Sequence, residues 1–314
     1  MSTARALAPL TASVHQPTAA RPLRARLRRL DPHERVDAHR HDWAQLAFAL
    51  EGVTRLQAEH GTYLVPPSRA LWIPPGVEHA VTVLEPVTLV TLYLHQEAGV
   101  CGPWTAAELA AAMTEAGPPD LTAWHQCRVL EVSALTRALV EQLDPQADRP
   151  LRGDEGPQTP PPPAPDARSR RREDLLAALL RDELRRAAPV PLGVPMPQDK
   201  RLRALCQAVL DAPCRHATLA DWSRDVGASP RTLARLFQQQ LSTRFGLWRE
   251  QVLLAQALSL AAQGRPMAWI AAELGYAHPS AFSAMVRRQV GMPPSRFFAG
   301  AAVTPASAGG RQAR

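Results

Sequence analysis

The spacing of apolar residues along this chain changes once, and that change restricts the fold more than any other feature. Between residues 34 and 95 apolar residues alternate with small or polar ones, as at Leu46, Phe48 and Leu50, and Gly or Pro interrupts them repeatedly. Short alternating runs of this kind predict the strands of a sandwich or barrel. From Asp199 onward the apolar residues recur at helical spacing. The chain is therefore expected to be an α+β protein, with an N-terminal β-barrel joined to an all-α C-terminal domain.

Proline- and arginine-rich stretches mark the expected boundaries. Residues 144–172 hold four consecutive prolines and too few apolar residues for a core, and a leucine-striped helix is predicted over Glu173–Ala187. Residues 1–30 have six arginines and no acid before Asp31, which is typical of a mobile basic tail or a short basic helix. In order, we expect a basic disordered tail (1–30), a β-rich domain (31–143) with an insertion at 98–124, a proline-rich linker (144–172), a connecting and dimerisation helix with its connector (173–198), a helical domain (199–298) and a disordered tail (299–314).

Positive charge is concentrated in the helical part. The chain has 36 Lys and Arg and 29 Asp and Glu, and residues 199–314 hold 15 and 6 of these, so the rest is close to neutral. This imbalance indicates either contact with a polyanion such as nucleic acid or arginines that only coat solvated helices, and the motifs below favour double-stranded DNA. No apolar run approaches the ~20 residues of a membrane span, so no membrane partner is expected. Four cysteines without a metal-binding spacing are consistent with a reduced, cytoplasmic chain.

Two segments of the helical part follow one pattern. In the first, a short helix ends at Gly227, and Ser229 and Pro230 begin a second helix with a capping residue and a proline at its first position. In the second segment, Gly275 and Pro279 repeat this arrangement. Two short helices joined by a glycine turn, with an outward-facing polar surface on the second, predict a helix-turn-helix whose second helix enters the major groove.

Residues 199–298 resemble the DNA-binding domain of the AraC/XylS family of bacterial transcription regulators. The residues that carry the resemblance are Leu219-Ala220, Ser229-Pro230-Arg231-Thr232-Leu233-Ala234-Arg235-Leu236-Phe237, Ile270-Ala271, Gly275-Tyr276, Ser280-Ala281-Phe282-Ser283 and Gly291-Met292-Pro293-Pro294-Ser295-Arg296-Phe297. Segments 39–94, 127–143 and 175–197 resemble the members of that family that have a cupin-type sensor domain. The resemblance implies a ligand-responsive activator or repressor of transcription, not an enzyme, with a cupin-like N-terminal barrel and two helix-turn-helix units.

The first unit is expected to read DNA sequence. Arg231 and Arg235 are four residues apart on one helix face, from which guanidinium groups can bind guanine edges. Family members usually have an arginine at the position of Ala284 and another near Leu253, and often one near Phe298, so the second unit is expected mainly to position the protein on phosphate. The expected DNA-binding residues are Ser229, Arg231, Thr232, Arg235, Pro279, Ser280, Ser283, Arg287 and Arg288.

Histidines in the N-terminal part stand at the spacing of two cupin motifs. His39 and His41 share one face of a strand because alternate residues do, and His79 is expected to meet them from a separate strand. By resemblance to metal cupins these three histidines would be metal ligands, with Gln45 in the place of the usual carboxylate. The expected effector-binding residues are His39, His41, Trp43, Gln45, Trp72, His79 and Tyr93, with Phe48 as a further apolar wall.

Three roles for the histidine cluster stay open at this point. His39, His41 and His79 could hold a divalent metal, hydrogen-bond an organic effector, or serve the fold alone. If they hold a metal, the alternative function is a metal-dependent cupin enzyme, a dioxygenase or isomerase, with a helical appendage. No catalytic residue is assigned.

The helices predicted over Ala134–Leu143 and Glu173–Ala187 have leucine stripes wide enough to pair with a second copy. A homodimer is therefore expected, with Leu176 and Leu180 at its interface. The alternative is that these helices only close one mouth of the barrel.

Overall fold

The computed structural model describes most of the two expected domains. The described residues are 6–7, 16–32, 34–51, 54–58, 61–65, 69–83, 86–115, 119–143, 166–190 and 192–298. Residues 144–165 of the expected linker and all of the expected tail 299–314 lie outside them. In the part that is described, no helix combines the length and the apolar character needed to cross a bilayer.

Strands form throughout the N-terminal part, as the alternating pattern predicts. They are β1 (Ala6–Leu7), β2 (Leu23–Leu30), β3 (Arg35–His39), β4 (Ala44–Glu51), β5 (Thr54–Ala58), β6 (Gly61–Val65), β7 (Arg69–Ile73), β8 (His79–Val83), β9 (Val87–Leu94), β10 (Arg128–Glu131), β11 (Pro189–Val190) and β12 (Gly193–Pro195). Within the described ranges they form two six-stranded sheets, sheet I in the order β1-β3-β8-β5-β6-β12 and sheet II in the order β11-β10-β7-β4-β9-β2. No ladder joins the two sheets in these ranges, so the expected barrel is an open, cupin-like sandwich.

The segment expected as a disordered tail or basic helix contains a strand instead. β2 pairs with β9 along its whole length, from Leu23 opposite Leu94 to Leu30 opposite Val87. Leu23 and Ala25 are buried, whereas the alternate residues Arg24 and Arg26 are only partly buried. This alternation has the two-residue period of a strand. Pairing with the apolar strand β9 buries the apolar face of β2 and so stabilises it as a strand. The N-terminal domain therefore begins before residue 31.

Helices make up the C-terminal part and cover the outside of the sandwich. They are α1 (Ala106–Glu115), α2 (Ala134–Leu143), α3 (Ala167–Arg186), α4 (Lys200–Asp211), α5 (Leu219–Val226), α6 (Pro230–Leu241), α7 (Phe245–Ala262), α8 (Met267–Glu273), α9 (Pro279–Val290) and α10 (Pro294–Phe297). α1 lies in the segment expected as an insertion, and Arg181 of α3 binds Glu108 of α1 at 3.1 Å.

The connecting helix begins earlier than expected. α3 starts at Ala167 rather than Glu173, and the carboxylate of Asp166 caps it by accepting a 2.7 Å hydrogen bond from the backbone N–H of Ser169. Such a cap stabilises a helix end by about 1 kcal/mol. Residues 167–172, expected as part of the linker, are therefore the first turns of a 20-residue helix.

Two apolar cores divide the molecule in an unexpected way. One contains the first helix-turn-helix, with Trp222, Leu233 and Phe237 fully buried beside Val194 of β12. The other runs without interruption from the sandwich into the second helix-turn-helix, where it includes Ile270 and Phe282. α7 contributes to both, with its first half in the former core and its second half in the latter.

The sandwich touches the second unit through a buried arginine. Arg69, the first residue of β7, is 4% exposed and pairs with Glu131 at 3.4 Å. Its guanidinium Nη2 lies 3.4 Å from the carbonyl oxygen of Phe297, and its central carbon lies 5.4 Å from the centre of the Phe297 ring. Burial lowers the pKa of Arg69, while the carboxylate of Glu131 opposes that shift. A second contact joins Arg55 of β5 to Asp211 of α4 at 2.8 Å.

Candidate functional site

Three histidines converge between the two sheets. His39 ends β3 and pairs with His79 at the start of β8, and His41 follows in the loop before β4. The ring centres of His39 and His79 are 4.3 Å apart, and that of His41 lies 5.0 Å from His79 and 5.8 Å from His39. One ring nitrogen of each histidine lies within 4.8 Å of the others. The structure thus brings together all three histidines that the sequence predicts to meet.

Backbone carbonyls orient each of the three rings. Nδ1 lies 2.9 Å from the Asp37 carbonyl in His39, 2.8 Å from the Trp43 carbonyl in His41, and 3.0 Å from the Val77 carbonyl in His79. A carbonyl oxygen only accepts hydrogen bonds, so each Nδ1 carries a proton, and in a neutral ring Nε2 then carries the lone pair. An Nδ1–H bound to a backbone carbonyl is the arrangement that metal-binding histidines use to fix tautomer and ring orientation.

Burial keeps two of these rings neutral. Burial lowers the pKa of His79 to about 3 and also lowers the pKa of His41. His79 is 1% exposed, and its Nε2 has no hydrogen-bond partner among the described residues. A buried polar atom without a partner is costly unless a ligand or water satisfies it. The lone pair of His79 therefore marks a place where a ligand atom fits.

Gln45 closes one side of the cluster. Its amide oxygen lies 3.0 Å from Nε2 of His41, whose Nδ1 already donates to Trp43. A neutral imidazole has one N–H, so the Gln45 amide satisfies this contact by turning its NH₂ group toward His41. A neutral amide thus stands where a carboxylate would add negative charge to a metal site.

Two aromatic side chains form a wall beside the histidines. Trp43 stacks on His41 with ring centres 4.7 Å apart and planes 7° apart, and Tyr93 meets both rings edge-on at 6.3 Å. Burial raises the pKa of Tyr93, so its phenol is un-ionised. The indole Nε1 of Trp43 is buried without a hydrogen-bond partner in the described part of the chain. These contacts place Trp43 and Tyr93 where the sequence predicts them.

Trp72 does not belong to this site, contrary to expectation. It pairs with Leu46 across β7 and β4, whereas the neighbouring pair Ile73 and Gln45 lies on the face toward the histidines. The indole Nε1 of Trp72 donates a 2.9 Å hydrogen bond to the carbonyl of Trp124 on the other face of sheet II. Phe48 pairs with Ala70 and shares the face of Trp72. Neighbouring residues of a strand point to opposite faces, so Trp72 and Phe48, each one residue out of step with the face of Gln45 and Ile73, point away from the histidines.

The first helix-turn-helix has the local geometry that its sequence predicts. Gly227 ends α5 with φ 63°, a left-handed conformation that favours glycine. The hydroxyl of Ser229 then caps α6 by accepting a 3.1 Å hydrogen bond from the backbone N–H of Thr232. Arg231 and Arg235 are exposed, and Thr232 is half-buried. The Arg235 guanidinium donates a 3.1 Å hydrogen bond to the amide oxygen of Gln239 on its own helix, so its charged end can turn toward DNA.

The second unit presents fewer unpaired cations. Gly275 has φ 79°, and Pro279, Ser280 and Arg287 are exposed on α9, with Ser283 half-buried. The Arg288 guanidinium, expected on phosphate, instead forms a two-pronged ion pair with Glu250 of α7, at 2.5 and 3.2 Å. The sequence gives no local signal for this pair because 38 residues separate its members.

Comparison with known proteins identifies the family. One family model, the AraC-like ligand binding domain, matches residues 21–157, and another, a helix-turn-helix domain, matches residues 222–300. The chain belongs to the AraC family of transcription regulators. The ligand-domain match begins ahead of β2, in agreement with the place of that strand in the sandwich. This AraC-family chain is a ligand-responsive, DNA-binding transcription regulator with an N-terminal sensor domain.

Two curated proteins and one solved structure are similar to this chain. The AraC-family chain is 29% identical to the HTH-type transcriptional regulator NimR of Escherichia coli (strain K12), over 83% of this chain and 81% of NimR. It is 34% identical to the arabinose operon regulatory protein of Salmonella typhimurium, over 41% of this chain and 48% of that protein. The solved structure of ToxT from Vibrio cholerae covers 89% of this chain and 98% of ToxT, with a TM-score of 0.33 and 10% identity.

The cap of α6 offers a direct test of the first unit. Ser229→Ala removes the oxygen that accepts from the Thr232 N–H, and we expect a loss of about 1 kcal/mol in the free energy of unfolding. Thermal or urea unfolding measures this change. Ser229→Asp should keep the cap and the parent stability. Equal stability of the alanine variant and the parent would show that the cap contributes nothing.

Proposed function

We propose that this AraC-family regulator works in the cytoplasm as a homodimer that binds double-stranded DNA chiefly with α6 and responds to an effector at the histidine cluster. The observation that carries the proposal is the pairing, in one chain, of an exposed arginine face on α6 with three converging imidazoles in the sensor, among which the buried Nε2 of His79 has no hydrogen-bond partner in the described part of the chain. The DNA-binding residues are Ser229, Arg231, Thr232, Arg235, Pro279, Ser280, Ser283 and Arg287, and Arg288 reaches phosphate only if it leaves Glu250.

A gel shift with the DNA upstream of its own gene tests the regulator function, beside metal analysis of the purified protein. Retention of that DNA in preference to a scrambled duplex supports the proposal. The second candidate, a metal-dependent cupin enzyme, is favoured by the histidine geometry alone. Stoichiometric metal with turnover of a substrate, and no specific retention of DNA, would support the enzyme.

The first unit is the sequence reader in this proposal. Arg235→Ala should weaken operator binding by about 1–3 kcal/mol and relax specificity at one base pair, because a bidentate contact to guanine is lost. Quantitative gel shifts on the operator and its point variants measure both effects. Arg224→Ala is the matched control, since Arg224 is an exposed arginine of α5 that pairs with Asp221. If the two variants bind the operator equally well, α6 is not the recognition helix.

A divalent metal is the effector, or part of it, that fits the histidine cluster best. Three imidazole nitrogen ligands suit Zn, Ni, Cu or Fe and leave positions open for a further ligand. The bound Nδ1–H groups and the unpaired Nε2 of His79 support this assignment. Gln45, Trp43 and Tyr93 would border the open positions. When bound, the metal would supply a Lewis-acid centre that can hold a donor atom of an organic ligand.

Metal titration tests this site. The parent should bind one equivalent of Zn or Ni by calorimetry, and His41→Ala and His79→Ala should lose it while keeping basal operator binding, because the first helix-turn-helix, which carries α6, has its own core. Gln45→Glu should tighten binding because it adds a negative charge. His125→Ala, at an exposed histidine of the sensor, is the control. A parent that takes up no metal, or a His79→Ala protein that binds as the parent does, would contradict the assignment.

The homodimer is proposed through the outer face of α3, but not through the residues expected from sequence. Leu180 is 0% exposed and packs into the sandwich core, and Leu176 is half-buried. Leu175 and Leu179 are 65% and 43% exposed, and Leu135 of the neighbouring α2 is 44% exposed. Leu175 and Leu179 are one helical turn apart, so they form an exposed apolar strip on α3 suited to a second copy.

Charged replacements on this strip test the dimer. Leu175→Lys with Leu179→Lys should give folded monomers that bind only half-sites, because two ammonium groups would have to be buried at the interface. Sedimentation velocity and gel shifts on half and full operators measure the outcome. Met113→Lys, at an exposed apolar residue of α1, is the control. An unchanged dimer in the double variant would place the interface elsewhere.

A further inference from the structure

Three arginines in the segment expected as a disordered tail lie on one face of β2. Arg24, Arg26 and Arg28 occupy alternate positions of β2, so their side chains leave the same face of sheet II. The register sets them opposite Tyr93, Thr91 and Leu89 of β9, and residues directly opposite in an antiparallel pair share a face. Arg29, the next residue, lies on the other face and is exposed.

That face looks across the sandwich at the histidines. Tyr93, opposite Arg24, is also opposite Gln45 of β4, whose amide contacts His41. The His41 ring meets Tyr93 at 6.3 Å and lies 5.0 Å from His79 of sheet I. The arginine row and the histidine cluster therefore border one space between the sheets. Arg26 and Arg28 lie two and four residues beyond Arg24 along β2, so they line the same space further from the histidines.

The charges of these arginines act inside the protein. Burial lowers the pKa of Arg28, an effect that Tyr93 and Glu34 oppose. Burial raises the pKa of Tyr93, and the positive charges of Arg26 and Arg28 oppose that rise, so both guanidinium groups act on the Tyr93 phenol. Guanidinium groups match carboxylate and phosphate oxygens in a two-pronged geometry and bind them most strongly where water is scarce.

We propose that Arg26 and Arg28 bind an oxyanion group, carboxylate or phosphate, of a small-molecule effector whose other end reaches the histidine cluster. This assignment rests on the proposed sensor function and adds the chemical class of the effector. A competing explanation is available, because β2 is the edge strand of sheet II and inward-pointing charges on an edge strand hinder sheet-to-sheet aggregation.

Thermal unfolding of the full-length protein with acetate, inorganic phosphate or chloride at matched ionic strength tests the proposal. Acetate or phosphate should raise the Tm of the parent more than chloride does. The more effective of the two ions identifies whether the site binds a carboxylate or a phosphate. In Arg26→Met and Arg28→Met the apparent Kd for that ion should rise at least about tenfold. Arg29→Met is the matched control, on the same strand but the opposite face. Arg28→Lys should keep part of the response, since it keeps the charge.

The outcomes separate this inference from the regulator function. An oxyanion response that is absent in the parent, or equal in Arg28→Met and Arg29→Met, would overturn it. Aggregation of Arg26→Met and Arg28→Met with unchanged anion binding would overturn it in favour of edge protection. A gel shift on the same samples should find basal operator binding unchanged. If the parent instead retained no specific DNA while the arginine-dependent anion response persisted, the regulator function would fail and this site would stand.

Discussion

The buried guanidinium of Arg69 joins the sensor domain to the helical domain. It leaves the first residue of a sensor strand, lies buried against Glu131, and meets both the carbonyl and the ring of Phe297 in the second helix-turn-helix. A buried cation holds its place only where its partners compensate it. Separating the sensor from the second unit would break both contacts of Arg69 with Phe297 and would expose the apolar core that runs through both.

The position of α7 carries this constraint to the first unit. Trp248 and Val252 in its first half belong to the core of the first helix-turn-helix, and Leu254 and Leu258 in its second half belong to the core shared with the sensor. β12 adds a second link, since Val194 pairs with Thr62 of sheet I yet packs beside the first unit. A ligand that binds one arrangement of the sandwich more tightly than another can therefore change the relative position of the two helix-turn-helix units. The size of that shift is set by the difference in the ligand's affinity for the two arrangements.

Sequence patterns predicted correctly the elements that depend only on interactions between neighbouring residues. The turn at Gly227 and the cap at Ser229 are set by backbone sterics and one hydrogen bond, so the sequence was sufficient for α6. The convergence of the three histidines followed from the resemblance to the cupin motifs, whereas the argument that His39 and His41 share one strand face was wrong, because β3 ends at His39 and His41 lies in the loop before β4. The failures are long-range. The strand at Arg24–Arg28 needed β9 as a partner, the face of Trp72 depended on a one-residue register, and the pairing of Arg288 with Glu250 required α7 and α9 to pack.

Calorimetric unfolding of the full chain measures the coupling most directly. The parent should unfold in one cooperative transition, because the sensor and the second unit share a core and a buried cation. Arg69→Met, which keeps the length of the side chain and removes its charge and hydrogen bonds, should split that transition into two. Two separate transitions in the parent, or a single unchanged one in Arg69→Met, would contradict the account.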